Sequence, residues 1–309
     1  MLLKVIIVLL LSIIFVFKIF QLESYKHFTN MEQNNVVYSH PNQPLRFANQ
    51  KESNDLRALD IDQFYKPELI KGKIVLVTGS NRGIGLALVK QLVLDGAKVI
   101  ASYRSEAPTV EGLWKTIGDV DVTSTEKCEK MADALKEQGI KVDILINNAG
   151  YFMEPIETIE SCDFDEQMKM INICSVGMLR ISSAVVKRGL LTENAKISMI
   201  TSQGGSIAWR ETQNAGDNMD YGHHMSKAAA NMAGKLLAIE MKRRGVSVSI
   251  LHPGFNKTDM TKKYSHIWEI EGAVDPMVGA KRVLHEINIQ NLETAGTFIN
   301  CEDGLPIPW

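Results

Sequence analysis

Residues 73–94 read KIVLVTGSNRGIGLALVKQLVL, and the order of their parts decides the fold. Ile74–Val77 is a short aliphatic, β-branched run bounded by turn residues, the mark of a buried strand. Thr78-Gly79-Ser80-Asn81-Arg82-Gly83-Ile84-Gly85 follows, and Leu86–Leu94 continues as a helix. Glycines at these places permit a tight turn, a close approach of backbone to a pyrophosphate, and contact between helix and strand. The helix start offers N–H groups and the positive end of its dipole to phosphate. A glycine triplet alone is often an ordinary turn. A strand before it and a helix after it make it a dinucleotide-binding loop.

The same alternation runs outward from this stretch. Apolar runs recur at Val99–Ala101, Ile144–Ile146, Ile197–Ile200, Val246–Leu251 and Thr297–Ile299. Between them lie helical stretches, notably Glu126–Gln138, Phe164–Lys187 and Met225–Arg244. Short buried strands alternating with amphipathic helices predict an α/β fold: one Rossmann-type, doubly wound parallel sheet with helices on both faces. No internal repeat is visible, and one domain from about residue 66 to 309 accounts for this part of the chain.

The N-terminal part is different. Val5–Phe17 is unbroken apolar sequence apart from Ser12, flanked by Lys4 and Lys18. Thirteen helical residues rise about 20 Å, short of a hydrocarbon core of roughly 30 Å. Leu2, Leu3, Ile19 and Phe20 extend the span if both lysines snorkel. After Phe17 no pair of small residues offers a signal-peptidase site. Residues 1–20 are therefore expected to stay as a single-pass membrane anchor, in an endomembrane such as the endoplasmic reticulum if the cell is eukaryotic. Lysines on both sides leave its orientation open. Residues 21–65 are polar and aperiodic, and are expected to form a tether.

The 309 residues carry a formal net charge of −2, which gives no reason to expect nucleic acid as a partner. Cys128, Cys162, Cys174 and Cys301 lie far apart without metal-ligand spacing. No metal is expected.

The second strand ends Ala101-Ser102-Tyr103-Arg104, with no acid before Glu106. A site selective for NAD usually has a carboxylate there, on the ribose 2′-hydroxyl. Arg104 and Arg82 stand in its place, and a guanidinium matches the 2′-phosphate of NADP in a bidentate fork. The expected cofactor is NADP(H).

The spacing of Thr78, Gly79, Gly83 and Gly85 resembles the short-chain dehydrogenase/reductase family, and further motifs follow in the family's order. Asp121-Val122 resembles its adenine-contacting acid, and Asn147-Asn148-Ala149-Gly150 its element after the fourth strand. Asn172 falls where the family carries a helix asparagine, Ser202 where it carries its serine, and Lys227 where it carries its lysine. Pro253-Gly254 with Thr258 resembles the loop over the nicotinamide. Gly296–Asn300, Asp303-Gly304 and Ile307-Pro308-Trp309 are similar to the ending of the C-factor and carbonyl-reductase branch. The resemblance spans about residue 70 to the end. It implies hydride transfer between NADP(H) and a small carbonyl or alcohol. The serine would steady the substrate oxygen, the lysine bind the nicotinamide ribose, and the asparagine hold a water in a proton relay.

One position departs from the family. Its active-site pattern is Tyr-x-x-x-Lys, and four residues before Lys227 stands His223. Residues four apart share a helix face. Tyr221, six before Lys227, is turned about 120° from that face. His223 thus occupies the acid's place. Three readings are open. His223 is the acid or base itself, with its pKa depressed by Lys227. Or the chemistry is lost, and the chain is an NADP-binding regulator or scaffold. Or the cofactor serves a different reaction. Retention of Asn172, Ser202 and Lys227 favours the first.

Asn256-Lys257-Thr258 fits a glycosylation sequon but falls on the presumed nicotinamide loop, so it is expected to be unmodified. Phe255, Tyr264, Ile267, Trp268 and Ile270 either line an apolar substrate pocket or pack as a loop. The insertion Gly204–Met219 either shapes the substrate mouth or blocks a helix-to-helix homodimer.

Overall fold

The computed structural model describes residues 36–154, 157–215 and 219–309. The expected anchor, residues 1–20, and residues 21–35 of the expected tether lie outside the described residues. The six apolar runs become β1 (Ile74–Thr78), β2 (Lys98–Ser102), β4 (Val142–Asn147), β5 (Leu191–Ile200), β6 (Ser247–His252) and β7 (Phe298–Asn300), and a short, partly exposed strand that no apolar run announced, β3 (Lys115–Ile117), joins them. They form one sheet in the order β3-β2-β1-β4-β5-β6-β7, every neighbouring pair parallel. The order reverses between β1 and β4, so the cleft for a ligand opens at the carboxyl ends of those strands.

Both faces of the sheet are covered, which is why the strands read as continuous apolar runs. In β1, Val75 and Val77 face one core with Leu88, Leu92, Val283 and Leu284. Leu76, between them, faces the other core with Met131, Leu135, Ile181 and Met241. The longer helices, in chain order, begin with α1 (Gln43–Glu52), α2 (Gly83–Leu94), α3 (Thr125–Glu137), α4 (Phe164–Ile171) and α5 (Gly177–Lys187). They continue with α6 (Tyr221–Lys242) and α7 (Pro276–Ile289). Side chains start α3 and α7: Ser124 accepts from the Lys127 N–H at 3.3 Å, and Asp275 accepts from Met277 at 2.8 Å ahead of Pro276.

Two expectations need correction. The single helix foreseen over Phe164–Lys187 is divided by a π turn, Asn172–Val176, before α5. At Gly177 the helix passes so near the loop after β3 that a Cβ would lie 2.8 Å from the Val122 side chain. The second correction concerns the tether. From Tyr38 onward the chain belongs to the folded unit, which therefore starts well before residue 66. Ile61, Tyr65 and Ile70 fill the core on the α2–α7 face. Arg46 is buried on the far side of α1 against a carboxylate near the C-terminus. These residues show no apolar rhythm because much of their anchoring is polar, to partners hundreds of positions away.

Candidate active site

The glycine loop is a backbone cradle. Gly79 has φ +62°, and a Cβ on it would lie 2.8 Å from the Ala149 Cα. A Cβ on Gly85 would lie 2.0 Å from the Gly79 carbonyl oxygen and 2.4 Å from the Asn148 amide. The Asn148 side chain donates to the carbonyls of Thr78 (3.0 Å) and Gly79 (3.1 Å), tying the end of β4 to the loop. Thr78 Oγ1 accepts from the backbone N–H groups of Asn148 and Ala149 at 3.0 and 3.1 Å. Gly83, Ile84 and Gly85 then form the first turn of α2, whose N–H groups lack intrahelical acceptors. Thr258 faces this turn across the cleft, 3.8 Å from where a Gly83 Cβ would stand.

The hydroxyl of Ser80 donates to the Ser102 carbonyl at 2.9 Å and joins the glycine loop to the end of β2. Arg82 and Arg104, on these two segments, are exposed and form no salt bridge among the described residues. Asp121 follows β3. Burial pushes its carboxyl up, but hydrogen bonds from Thr123 (2.7 and 2.9 Å) and the charges of Arg104 and Lys127 outweigh it and lower the pKa. Two arginines and one fixed acid thus mark the outer end of the cleft.

At its inner end, α6 starts at Tyr221, earlier than the periodicity indicated, so His223 and Lys227 lie one turn apart on one helix. Ser202 lies two residues beyond β5 and caps the turn Gln203–Gly205, its hydroxyl accepting from the Gly204 N–H at 3.0 Å. The turn after it lies on α6: a Cβ on Gly204 would stand 3.0 Å from His223 Nε2, and one on Gly205 would stand 2.7 Å from the Lys227 carbonyl. Asn172 opens the π turn, a type of distortion common at functional sites. Its carbonyl accepts from Arg180 at 3.4 Å.

The His223 ring lies 4.3 Å from that of Phe152, centroid to centroid, and its Nδ1 is buried without a protein partner among the described residues. Burial holds its pKa well below the usual imidazole value, aided by the charges of Lys227, His224, Lys263 and Arg210. Lys227 is therefore a contributor to the shift and burial its main cause. His224 is a different residue in kind: its Nδ1 meets the Gly204 carbonyl at 2.9 Å and Arg210 at 3.0 Å, a structural attachment.

One site residue, Lys263, had no signal in the sequence. Lys263 stands 3.7 Å from the centroid of the Phe152 ring and donates to the Met153 carbonyl at 3.1 Å. Its neighbour Tyr264 donates to Asp220 at 3.2 Å. Both belong to a 3-10 segment, Asp259–Ile267, that closes one side of the site. A cleft of about 480 Å³ lies between α2 and this flap, lined among others by Gly83, Thr258, Trp268 and Met277. Of the aromatic residues foreseen here, Trp268 lines the cleft and Tyr264 is held by Asp220. Asn256 is buried, its amide donating to the carbonyls of Pro253 (3.0 Å) and Gly254 (2.9 Å), so the folded sequon is closed to modification. The insertion after Gly204 is fastened elsewhere: Trp209 is buried, Ser206 donates to the Pro308 carbonyl at 2.5 Å, and Gln213 donates to that of Pro41 at 3.1 Å.

This arrangement matches known proteins. Residues 73–267 fit the family described as short chain dehydrogenase. The chain is 34% identical over 241 residues to 1-hydroxy-2-glutathionyl-2-methyl-3-butene dehydrogenase of a Rhodococcus species, covering 76% of this chain and 99% of that protein. It is 32% identical over 200 residues to the 3-oxoacyl-(acyl-carrier-protein) reductase of Escherichia coli, covering 63% and 78%. Among solved structures, it resembles an NADPH-bound carbonyl reductase from chicken fatty liver, with TM-score 0.65, 24% identity and 77% and 100% of the two chains covered. A short-chain dehydrogenase of Burkholderia cenocepacia in complex with NADP gives TM-score 0.64 at 25% identity, covering 76% and 98%. The chain belongs to the short-chain dehydrogenase family.

Proposed function

We propose that the chain is an NADP(H)-dependent oxidoreductase that interconverts a carbonyl and an alcohol on a small, apolar molecule, attached to a membrane through residues 1–20. The observation that carries this reading is the placement of His223 and Lys227 on one face of α6 beneath the serine turn. The cradle fits the cofactor: at Gly79 and Gly85 only a missing side chain lets the loop close, and the paired arginines supply a fork for a 2′-phosphate. Gly79, Gly83, Ile84 and Gly85 would hold the pyrophosphate, Arg82 and Arg104 the 2′-phosphate, and Asp121 the adenine. Asn148, Lys227, Pro253, Gly254 and Thr258 would border the nicotinamide half. When bound, NADP(H) supplies or takes up the hydride.

The chain's own residues handle the proton. Ser202 steadies the substrate oxygen and Asn172 holds a water at the π turn. A neutral imidazole at position 223 is ready to accept a proton from an alcohol. In the carbonyl direction the ring must first be protonated, which its depressed pKa makes harder at neutral pH. That same observation favours a second reading, a catalytically impaired NADP-binding protein with a regulatory or scaffolding role at the membrane. An assay with a panel of carbonyls and NADPH, and of alcohols with NADP⁺, separates the two. Turnover in either direction supports the enzyme; tight cofactor binding with no turnover in both supports the scaffold.

A further inference from the structure

Among the residues ahead of the family match, 38–72, Gln43 and Arg46 form a buried polar knot, and two of its threads lead to the site, one through Glu302 and one through Gln203. Arg46 Nη2 lies 2.7 Å from Glu302 Oε2, with side chains only 3% and 5% exposed. The Arg46 Nε–H donates to the same oxygen at 3.2 Å. Gln43 donates to both oxygens of Glu302, at 3.0 and 3.1 Å, and to the Glu271 carbonyl at 3.1 Å. On its far side Glu302 accepts from the backbone N–H of Phe255 at 2.8 Å, directly after Pro253-Gly254. A Cβ on Gly254 would stand 2.6 Å from the Glu302 side chain, so the loop lies flat on it. Arg46 also donates to Gln203 at 3.2 Å, and Gln203 donates back to Gln43 at 3.3 Å. Gln203 is the residue after Ser202. Phe47 fills the space beside Gly272 at the end of the flap, 2.5 Å from where a Cβ would be.

We infer that Gln43 and Arg46 are positioning residues of the active site: through Glu302 and Gln203, α1 fixes the Pro253–Thr258 loop and the Ser202 turn against each other. The inference rests on the reading that this loop closes over the cofactor. A buried ion pair is a costly way merely to attach a helix, since apolar residues of similar volume hold as well or better. What it adds is direction. Two guanidinium N–H groups fix one oxygen of the carboxylate, Gln43 bridges both oxygens, and the oriented carboxylate fixes one backbone N–H. Burial pushes the Glu302 carboxyl up, but Arg46, His252, Arg282 and the Phe255 N–H outweigh it and hold its pKa at about 2. It therefore stays ionised at any ordinary pH.

The test uses the full-length protein carrying R46M/E302M, in which an apolar pair replaces the ionic one and neither member of that pair is left as a lone charge. Hydrogen exchange at residues 201–206 and 253–258 should rise by about tenfold or more, while exchange at residues 74–94 stays unchanged. The dissociation constant for NADPH should rise by about tenfold or more, as loss of orientation predicts. Q43A, which leaves the ion pair in place, should move the same two segments by less and serves if the double variant does not fold. Unchanged exchange in both segments, or exchange that rises evenly over the molecule, overturns the inference. If the unaltered protein fails to bind NADPH, the cofactor reading falls, and exchange still decides whether α1 orders these loops.

Discussion

A tyrosine hydroxyl and an imidazole hold their protons at different pH, and position 223 exchanges one for the other. The four-residue step to Lys227 was legible, because helical periodicity alone puts the two side chains on one face. The ring's surroundings were not: Phe152 and Lys263 come from loops some seventy residues before and forty after, and no local pattern brings them together. Since burial, not Lys227, is the main cause of the low pKa, Lys227→Met should leave the alcohol-oxidation profile flat well below pH 6.5. His223→Tyr restores the family's pair, so turnover should be kept or raised and its pH limb should move upward. A variant with the unaltered profile would place the proton donor elsewhere, with Tyr221 or a water near Asn172 next in line. At the other end of the cleft, Arg104→Asp should erase the preference for NADPH over NADH, because repulsion replaces a charge-assisted bond. Equal affinity for both cofactors in the unaltered protein would contradict the arginine reading.

Among the elements, six of the seven strands were readable because both faces of the sheet are buried there, β3 escaped because it is short and partly exposed, and α2 was readable from its glycines. What escaped was α1 and the short turns after it. Their burial depends on pairs such as Arg46 with Glu302 and Arg57 with Glu286, which leave no periodic trace. The π turn escaped as well: the close approach of Val122 to Gly177, just after it, comes from another segment and leaves no local pattern. The glycine cradle gives the sharpest prediction at this scale. Gly85→Ala puts a methyl 2.0 Å from a backbone oxygen that no side-chain rotation can move. It should cost about 1–3 kcal/mol of stability by overpacking and weaken NADPH binding by at least about tenfold. Urea unfolding and a fluorescence titration measure the two, and an alanine variant with unaltered affinity would mean that the loop does not carry the pyrophosphate.

For the whole molecule, the folded unit starts near Tyr38, so the point of truncation matters. Removal of residues 1–37 should leave a folded domain. Removal of 1–65 takes Arg46, Ile61 and Tyr65 from the interior and should unfold it or leave it aggregated. The anchor proposal predicts that full-length chains stay with membranes after carbonate washing; N-terminal sequencing that begins beyond residue 20 would refute it. Acid should weaken the fold in a defined window. Burial, with Arg46 and Lys227 against the opposing pull of Glu302, lowers the His252 pKa to about 4. A lowered imidazole pKa favours the neutral ring, so this stability is complete above about pH 6.5 and is lost as the pH falls toward 4. The contribution is about 3 kcal/mol, and His252→Leu should flatten the fall by that much between pH 7 and 4 in urea unfolding. Parallel curves for the two proteins would contradict it. The central claim, that this chain moves a proton at His223 while NADP(H) moves the hydride, is tested most directly by turnover of the full-length protein and its His223→Ala variant from pH 5 to 9. Loss of turnover by about 10²-fold or more in the variant, with cofactor affinity kept, is the predicted result. Equal turnover in the two proteins would contradict it.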